Sequence, residues 1–220
     1  MKKIVDNIYY IGLSGCQVYL LDTESEDGLI LIDCGMDIDM IMDISEEGFD
    51  TNQINHCIIT HCHIDHIEAC HNLKELNPDV KFYAHKSDAQ AIEEQGHDQR
   101  TAASWYGTKY KPVKLYKKFT KDIETLNLGD FELRIIHTPG HTPGSISVLV
   151  EKAGKKILFG QDIHGPFYES FGSNLNDYQS SMQKLLDLQP DILCEGHFGI
   201  IQPADEVEHY IKNYMNSNKP

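Results

Sequence analysis

Four side chains that can bind metal fall within six residues of this chain: His61, His63, Asp65 and His66, in the run Thr60-His61-Cys62-His63-Ile64-Asp65-His66. In extended or turn backbone, residues two apart point to the same side, so His61 and His63 can converge on one ion. Asp65 and His66, at the mouth of the helix expected next, can address a second ion close by. The competing reading is a solvated histidine-rich turn, or imidazoles spent on helix caps. An apolar strand before the run and a helix after it favour metal. Three more donors follow later strand-like runs. His141 sits between two Pro-Gly turns in His137-Thr138-Pro139-Gly140-His141-Thr142-Pro143-Gly144, Asp162 comes after Ile157-Leu158-Phe159, and His197 closes Glu195-Gly196-His197 after Ile192-Leu193-Cys194. Such turns fix the loop direction and so aim an imidazole. Alone, each of the three would read as structural; together they complete the donor count of two ions.

A dinuclear site of this kind implies hydrolysis. Coordination lowers the pKa of water from about 15.7 toward ~7, which supplies a nucleophile without a protein base. The ions also polarise a carbonyl and take up the charge that develops on its oxygen. Asp65 can in addition orient the hydroxide. The motif regions offer no Ser-His pair or paired glutamate as a separate general acid. A thiolate leaves without protonation and an amine does not, so a small thioester or ester is the expected substrate.

These donors need elements that hold them. Short apolar runs punctuated by Gly and Asp read as strands at Ile8–Ile11, Gln17–Leu21, Leu29–Ile32, His56–Thr60 and Val80–Ala84. Further strands fall at Phe131–Ile136, Ser145–Val150, Lys156–Phe159 and Asp191–Cys194. Helical patterns cover Asp37–Ser45, Ile67–Leu76, Ser87–Gln95, about Tyr178–Leu188 and about Ala204–Asn216. Strands mixed with helices in both halves suggest an α/β (α+β) protein of two mixed sheets with helices on the outer faces, a four-layer αββα sandwich.

With these residues in view, the chain resembles the metallo-β-lactamase-fold superfamily of metallohydrolases, nearest to its glyoxalase II-like (hydroxyacylglutathione hydrolase-like) branch. The resemblance runs from Leu31-Ile32-Asp33 to His197 and turns on the H-x-H-x-D-H signature. It implies that His61, His63 and His141 hold one metal and Asp65, His66 and His197 the other, with Asp162 bridging them. It also implies that Asp33 supports the site from behind; an ordinary strand-end turn residue is the alternative. The implied cofactor is two divalent ions, with zinc the default and iron or manganese compatible with the donors. Asp162 and the absence of a visible secretion signal count against a β-lactamase as the main role. Lactonases of the superfamily typically place a tyrosine where this chain has Gly165, yet a lactonase or β-lactamase-type hydrolase stays among the alternatives. Only 23 residues follow His197, so the helical extension that carries glutathione contacts in glyoxalase II is not expected. A mono-iron persulfide dioxygenase, using donors matching His61, His141 and Asp162, is the alternative from another class.

Residues 96–121 stand apart, with seven Lys or Arg against one acid and the only tryptophan, Trp105. Segments at this position in the superfamily often border the active site. The functional reading is a substrate wall formed by Trp105, Tyr106, Tyr110 and Lys111, with His164 and Tyr168 after the bridging aspartate: aromatics for an acyl or thiol group, lysines for a carboxylate or phosphate. A solvated surface, or the contact of a homodimer, is the plainer reading. Elsewhere composition excludes more than it proposes. The 220 residues are 40% hydrophobic with a net charge of −15, as expected for one soluble domain spanning 1–220. That charge disfavours nucleic acid and anionic lipid as partners. No apolar run approaches the ~20 residues of a membrane span. Six scattered cysteines make no disulfide framework, and the start turns polar after Lys2-Lys3 before a signal-peptide core forms. A cytoplasmic protein acting on a small acyl substrate is expected.

Overall fold

The computed structural model describes residues 1–220. Its first half builds a seven-stranded sheet in chain order: β1 (Lys2–Val5), β2 (Ile8–Ser14), β3 (Cys16–Asp22), β4 (Leu29–Ile32), β5 (Ile54–Ile58), β6 (Lys81–His85) and β7 (Leu115–Phe119). The first four strands pair antiparallel and β4 to β7 parallel. Helices α1 (Ile38–Met42), α2 (Ile64–Ile67), α3 (Cys70–Leu76), α4 (Ala89–Glu93) and α5 (Ala103–Tyr106) occupy the crossovers that parallel pairing requires. The second sheet has six strands in the order β13-β12-β11-β10-β9-β8. They are β8 (Ile123–Leu128), β9 (Phe131–His137), β10 (Ile146–Lys152), β11 (Lys155–Phe159), β12 (Ile192–Cys194) and β13 (Ile200–Ile201). Helices α6 (Leu175–Leu188) and α7 (Ala204–Ser217) complete the chain.

Strand alternation divides the apolar residues among three cores. In β3, Val18 and Leu20 face the helices of the first half while Tyr19 and Leu21 face inward, as the two-residue period demands. The inner core joins both sheets, with Ile30, Ile32 and Ile58 on one side and Leu133, Ile135, Val148, Ile157 and Phe159 on the other. A third core packs Ile136, Leu149 and Leu158 under Met182 and Leu185 of α6 and Val207 and Ile211 of α7. Three cores between four layers give the αββα sandwich expected from the sequence.

Several boundaries differ from expectation. The helix expected over Ile67–Leu76 is two pieces, α2 beginning earlier at Ile64 and α3 at Cys70. Helix α6 starts at Leu175 because Asn174 caps it, accepting from the Asn176 and Asp177 amides. The end of the basic segment is a strand: β7 alternates half-buried and exposed residues before the buried Phe119 at the open edge of the first sheet, with Lys118 paired to Glu93 and Lys117 to Glu124. Lysines on an edge strand discourage pairing with another sheet. No helix is long and apolar enough to cross a membrane.

Candidate metal centre

The metal-capable side chains all sit just past the ends of strands. His61, His63, Asp65 and His66 follow β5 of the first sheet, whereas His141, Asp162 and His197 follow β9, β11 and β12 of the second. The two sets meet at one end of the sandwich. His63 Nδ1 lies 3.1 Å from His61 Nε2 and 2.8 Å from His141 Nε2. One oxygen of Asp162, Oδ2, is 3.6 Å from His61 Nε2 and 3.4 Å from His141 Nε2. The other, Oδ1, is 3.3 Å from His66 Nε2 and 3.1 Å from His197 Nε2, and Asp65 Oδ2 approaches the same two rings at 3.9 and 3.5 Å. Donors at ~2.0–2.2 Å around a tetrahedral ion are about 3.3–3.5 Å apart, so the spacings suit two ions sharing Asp162.

Hydrogen bonds behind the rings say which nitrogens face inward. The Thr60 hydroxyl donates to Asp33 at 2.7 Å, so at 3.2 Å it accepts from His61 Nδ1–H and leaves His61 Nε2 without a proton. His141 Nδ1 donates to the Pro166 carbonyl at 2.7 Å and His66 Nδ1 to Asp33 Oδ2 at 2.8 Å, so in these rings too it is Nε2 that faces the centre. Three Nε2 atoms therefore point inward, toward carboxylate oxygens. Buried His66 Nε2 and Asp162 Oδ1 have no hydrogen-bond partner at all. Polar atoms are not left this way in a core without a ligand to satisfy them. Burial holds His61 and His63 well below the ordinary imidazole range, which keeps them neutral as metal ligands must be. Burial opposes charge on Asp162, yet the surrounding His66, His141 and His197 hold it well below the usual carboxylate range. Against its own burial, the acidic groups around His66 hold that imidazole well above its ordinary range, with a proton that an incoming ion would displace.

Both central aspartates take left-handed backbone, Asp33 at φ 59° and Asp162 at φ 53°, a conformation the short polar side chain tolerates. Asp33 is fully buried and also accepts from the Thr60 amide at 2.7 Å. Its carboxylate thus fixes the start of the histidine loop and the His66 ring together.

Two supports were not foreseen as such. Asp88, 1% exposed, accepts from the Cys62 amide (3.1 Å), the Thr142 hydroxyl (2.6 Å), the Gly144 amide (3.0 Å) and the Arg100 guanidinium (2.7 Å). It ties the His61–His63 loop to the His141 loop across the two sheets. It stands at the N-cap position of α4 yet makes no capping bond to that helix. Buried Glu195 accepts from the His197 and Phe198 amides and from His164 Nδ1, stiffening the turn that carries His197. Its place in Glu195-Gly196-His197 was the available signal.

A cleft of about 170 Å³ opens over the donors, lined by His63, Asp65, His141, Asp162, His164 and His197 with Ala102, Trp105, Tyr106, Pro166 and Phe171. Of the expected substrate contacts, Trp105, Tyr106 and His164 lie in this cleft wall. Partial burial, then the nearby Asp65 carboxylate, pushes the Tyr106 phenol up to about 12. Tyr168 packs edge-on to Trp105 at 5.0 Å. Tyr110 does not line the cleft. It is 6% exposed in the core beneath the first sheet, and Lys111 beside it is exposed outside the cleft. The reason is Gly107, whose left-handed φ of 65° ends α5 and turns the chain back toward the sheet. Cys34, Cys57 and Cys62 are core residues.

A sequence model of the family described as Metallo-beta-lactamase superfamily matches residues 11–197. The chain is 29% identical over 215 residues to the probable metallo-hydrolase YflN of Bacillus subtilis (strain 168), covering 82% of this chain and 79% of that one. Its fold superposes at a TM-score of 0.83 on the first B3 metallo-beta-lactamase with an active site glutamic acid, at 21% identity over 99% of this chain and 89% of that one. A class B3 di-zinc metallo-beta-lactamase from an Alaskan soil metagenome gives 0.79 at 22% identity, over 99% and 90%. At these identities the two structures speak to fold alone.

Proposed function

The chain belongs to the metallo-beta-lactamase superfamily, and we propose that it is a dinuclear metallohydrolase cleaving a small thioester or ester, of the glyoxalase II-like kind. The observation that carries this reading is Asp162, whose two carboxylate oxygens face two separate donor groups, His61, His63 and His141 on one side and Asp65, His66 and His197 on the other. Two divalent ions, zinc by preference, would supply there a hydroxide nucleophile at neutral pH and an electrophile for the acyl oxygen.

The chain's own residues do the positioning. Asp33, the Thr60 hydroxyl and the Pro166 carbonyl fix the ring orientations of His66, His61 and His141. Asp65, placed by the first turn of α2 with its amide neighbour Ile64 bonded to the Thr101 carbonyl, addresses the second donor group and the cleft at once. His164 donates Nδ1–H to Glu195, which fixes its ring at the cleft edge. The protonated group nearest the donors is the Tyr106 phenol, a weak acid pushed up to about 12, which favours a leaving group that departs without a proton, a thiolate above all. We place the protein in the cytoplasm with a small-molecule acyl substrate.

The test is elemental analysis of protein purified without added metal, with hydrolysis of simple thioesters assayed in parallel. About two metals per chain and chelator-sensitive turnover are expected. One iron per chain, no hydrolysis, and oxygen uptake with a persulfide would instead indicate the dioxygenase class.

A further inference from the structure

The aromatic residues beside the donors are arranged as a surface left open. Phe171, 1% exposed, lies against the His63 ring with centroids 4.2 Å apart. Trp105 packs on Phe171 at 4.9 Å and Tyr168 on Trp105 at 5.0 Å. Yet Trp105 remains 56% exposed and Tyr168 47%. Across the cleft Phe198, 57% exposed, packs on His164 at 4.9 Å. Single exposed apolar residues are ordinary, but a cluster around a polar floor marks a binding surface.

The segment that brings Trp105 here is firmly held. Ile64 donates its amide to the Thr101 carbonyl at 2.7 Å, the Cys62 thiol bonds the Arg100 carbonyl, and Ala102 takes a left-handed φ of 58° to start α5. A non-glycine residue in that region is a local cost the rest of the segment sustains.

Charge is distributed in the opposite sense to the sequence expectation. No lysine or arginine lines the cleft or the depression of about 360 Å³ beyond Tyr168. Arg100, the cation of the basic segment nearest the donors, places one guanidinium nitrogen on Asp88 and another behind Gly172 at the depression's wall, and Lys117 and Lys118 are paired on the far edge strand. The charged side chains of the depression are Glu169 and Asp177, both acidic. An anionic group extending from a bound acyl centre would meet aromatic faces and the Glu169 and Asp177 carboxylates, with Arg100, already shared with Asp88, the one cation at the depression's wall.

Resting on the hydrolase reading above, we propose that this cleft selects an uncharged ester or thioester carrying an aromatic or similarly bulky apolar acyl group, seated on Trp105, Tyr168 and Phe171. Anionic thiol carriers such as glutathione are discriminated against. An aromatic ring on such a platform gains burial and edge-to-face contact that a methyl group does not.

Because Trp105 is the only tryptophan, intrinsic fluorescence reports on this surface alone. The experiment compares phenylacetyl and acetyl thioesters, each on N-acetylcysteamine and on glutathione, with the metal-loaded enzyme. Fluorescence is titrated separately with 1-phenylpropan-2-one, a ketone that cannot be hydrolysed. The phenylacetyl group on the uncharged thiol should exceed acetyl by about tenfold in kcat/KM, glutathione carriers should be poorer, and the ketone should quench or shift Trp105. Trp105→Ala should collapse the phenylacetyl preference through KM, and Trp105→Phe should restore most of it. Equal or better turnover of glutathione thioesters with no response of Trp105 overturns the inference and leaves the hydrolase reading standing. A fluorescence response with no thioester turnover upholds the subsite and removes the hydrolase reading. A Trp105 signal that shifts only with protein concentration would assign the surface to a second copy of the chain and overturn the proposal.

Discussion

At the scale of single residues, the centre depends on carboxylates that touch no substrate. Asp33 satisfies the Thr60 amide, the Thr60 hydroxyl and His66 Nδ1 at once. Asp33→Asn replaces one acceptor oxygen by a donor facing groups that also donate. Metal affinity should fall by about 10–100-fold, measured by competition with a chromophoric chelator; unchanged affinity would show that His66 is oriented by other means. Asp88 poses a different question, because it binds loops rather than a ligand ring. Asp88→Ala leaves Arg100, the Cys62 and Gly144 amides and the Thr142 hydroxyl without their acceptor. Losing a buried, hydrogen-bonded charge of this kind costs about 3–5 kcal/mol, which a urea melt of the metal-free protein should show as a lower midpoint at unchanged slope.

At the scale of elements, the strand ends carry the site and their glycines keep it open. A Cβ at Gly196 would stand 2.5 Å from Asp162 Oδ1 and 2.4 Å from Gln161 Oε1, closer than atoms approach. Gly196→Ala should therefore displace the shared carboxylate and reduce metal stoichiometry below two per chain while the protein still unfolds cooperatively. Full occupancy in that variant would mean the β12 end yields more easily than its packing indicates. The same scale shows how much was legible in the sequence. The donors stood out because metal chemistry demands particular residue types, and each follows an apolar strand that announces itself. Elements that stay largely wet did not: Leu115–Phe119 and Ile123–Leu128 alternate exposed with more buried residues, Lys2–Val5 opens on two exposed lysines, and strand propensity there depends on neighbours the sequence does not reveal. Tyr110 was misplaced for a related reason. Five residues beyond Trp105, it shares the segment's composition, but the turn at Gly107 sends it to the core. Asp88 was hidden because a helix cap and a buried acceptor look alike in one dimension.

At the scale of the whole molecule, the two donor groups link the sheets. His61, His63, Asp65 and His66 come from the first sheet, and His141, Asp162 and His197 from the second. Ions held between them stabilise only the assembled sandwich. Metal at about 1,000 times its Kd adds ~4 kcal/mol, and for a chain of this size each kcal/mol moves Tm by about 2–4 °C. Chelation should lower Tm by about 8–16 °C in a scan, and a shift under a degree or two would mean the sheets hold without the ions. A second bridge between the sheets responds to protons. His85 of β6 stacks on His137 of β9 at 3.8 Å and 16°. Burial, then the facing His137, lowers its pKa to about 4, with Lys86 adding to the effect and Asp88 and Glu124 opposing it. The unfolded chain, with His85 near its ordinary 6.5, binds a proton that the folded chain refuses between pH 6.5 and 4. Stability therefore falls as pH falls through that window, and His85 contributes no further change below it. In metal-free protein, where pH-dependent metal release cannot contribute, His85→Asn should lose part of this pH dependence. Its unfolding free energy relative to the wild type should rise between pH 7 and 4.5, and a constant difference across that range would exclude the stack as a proton-sensitive joint.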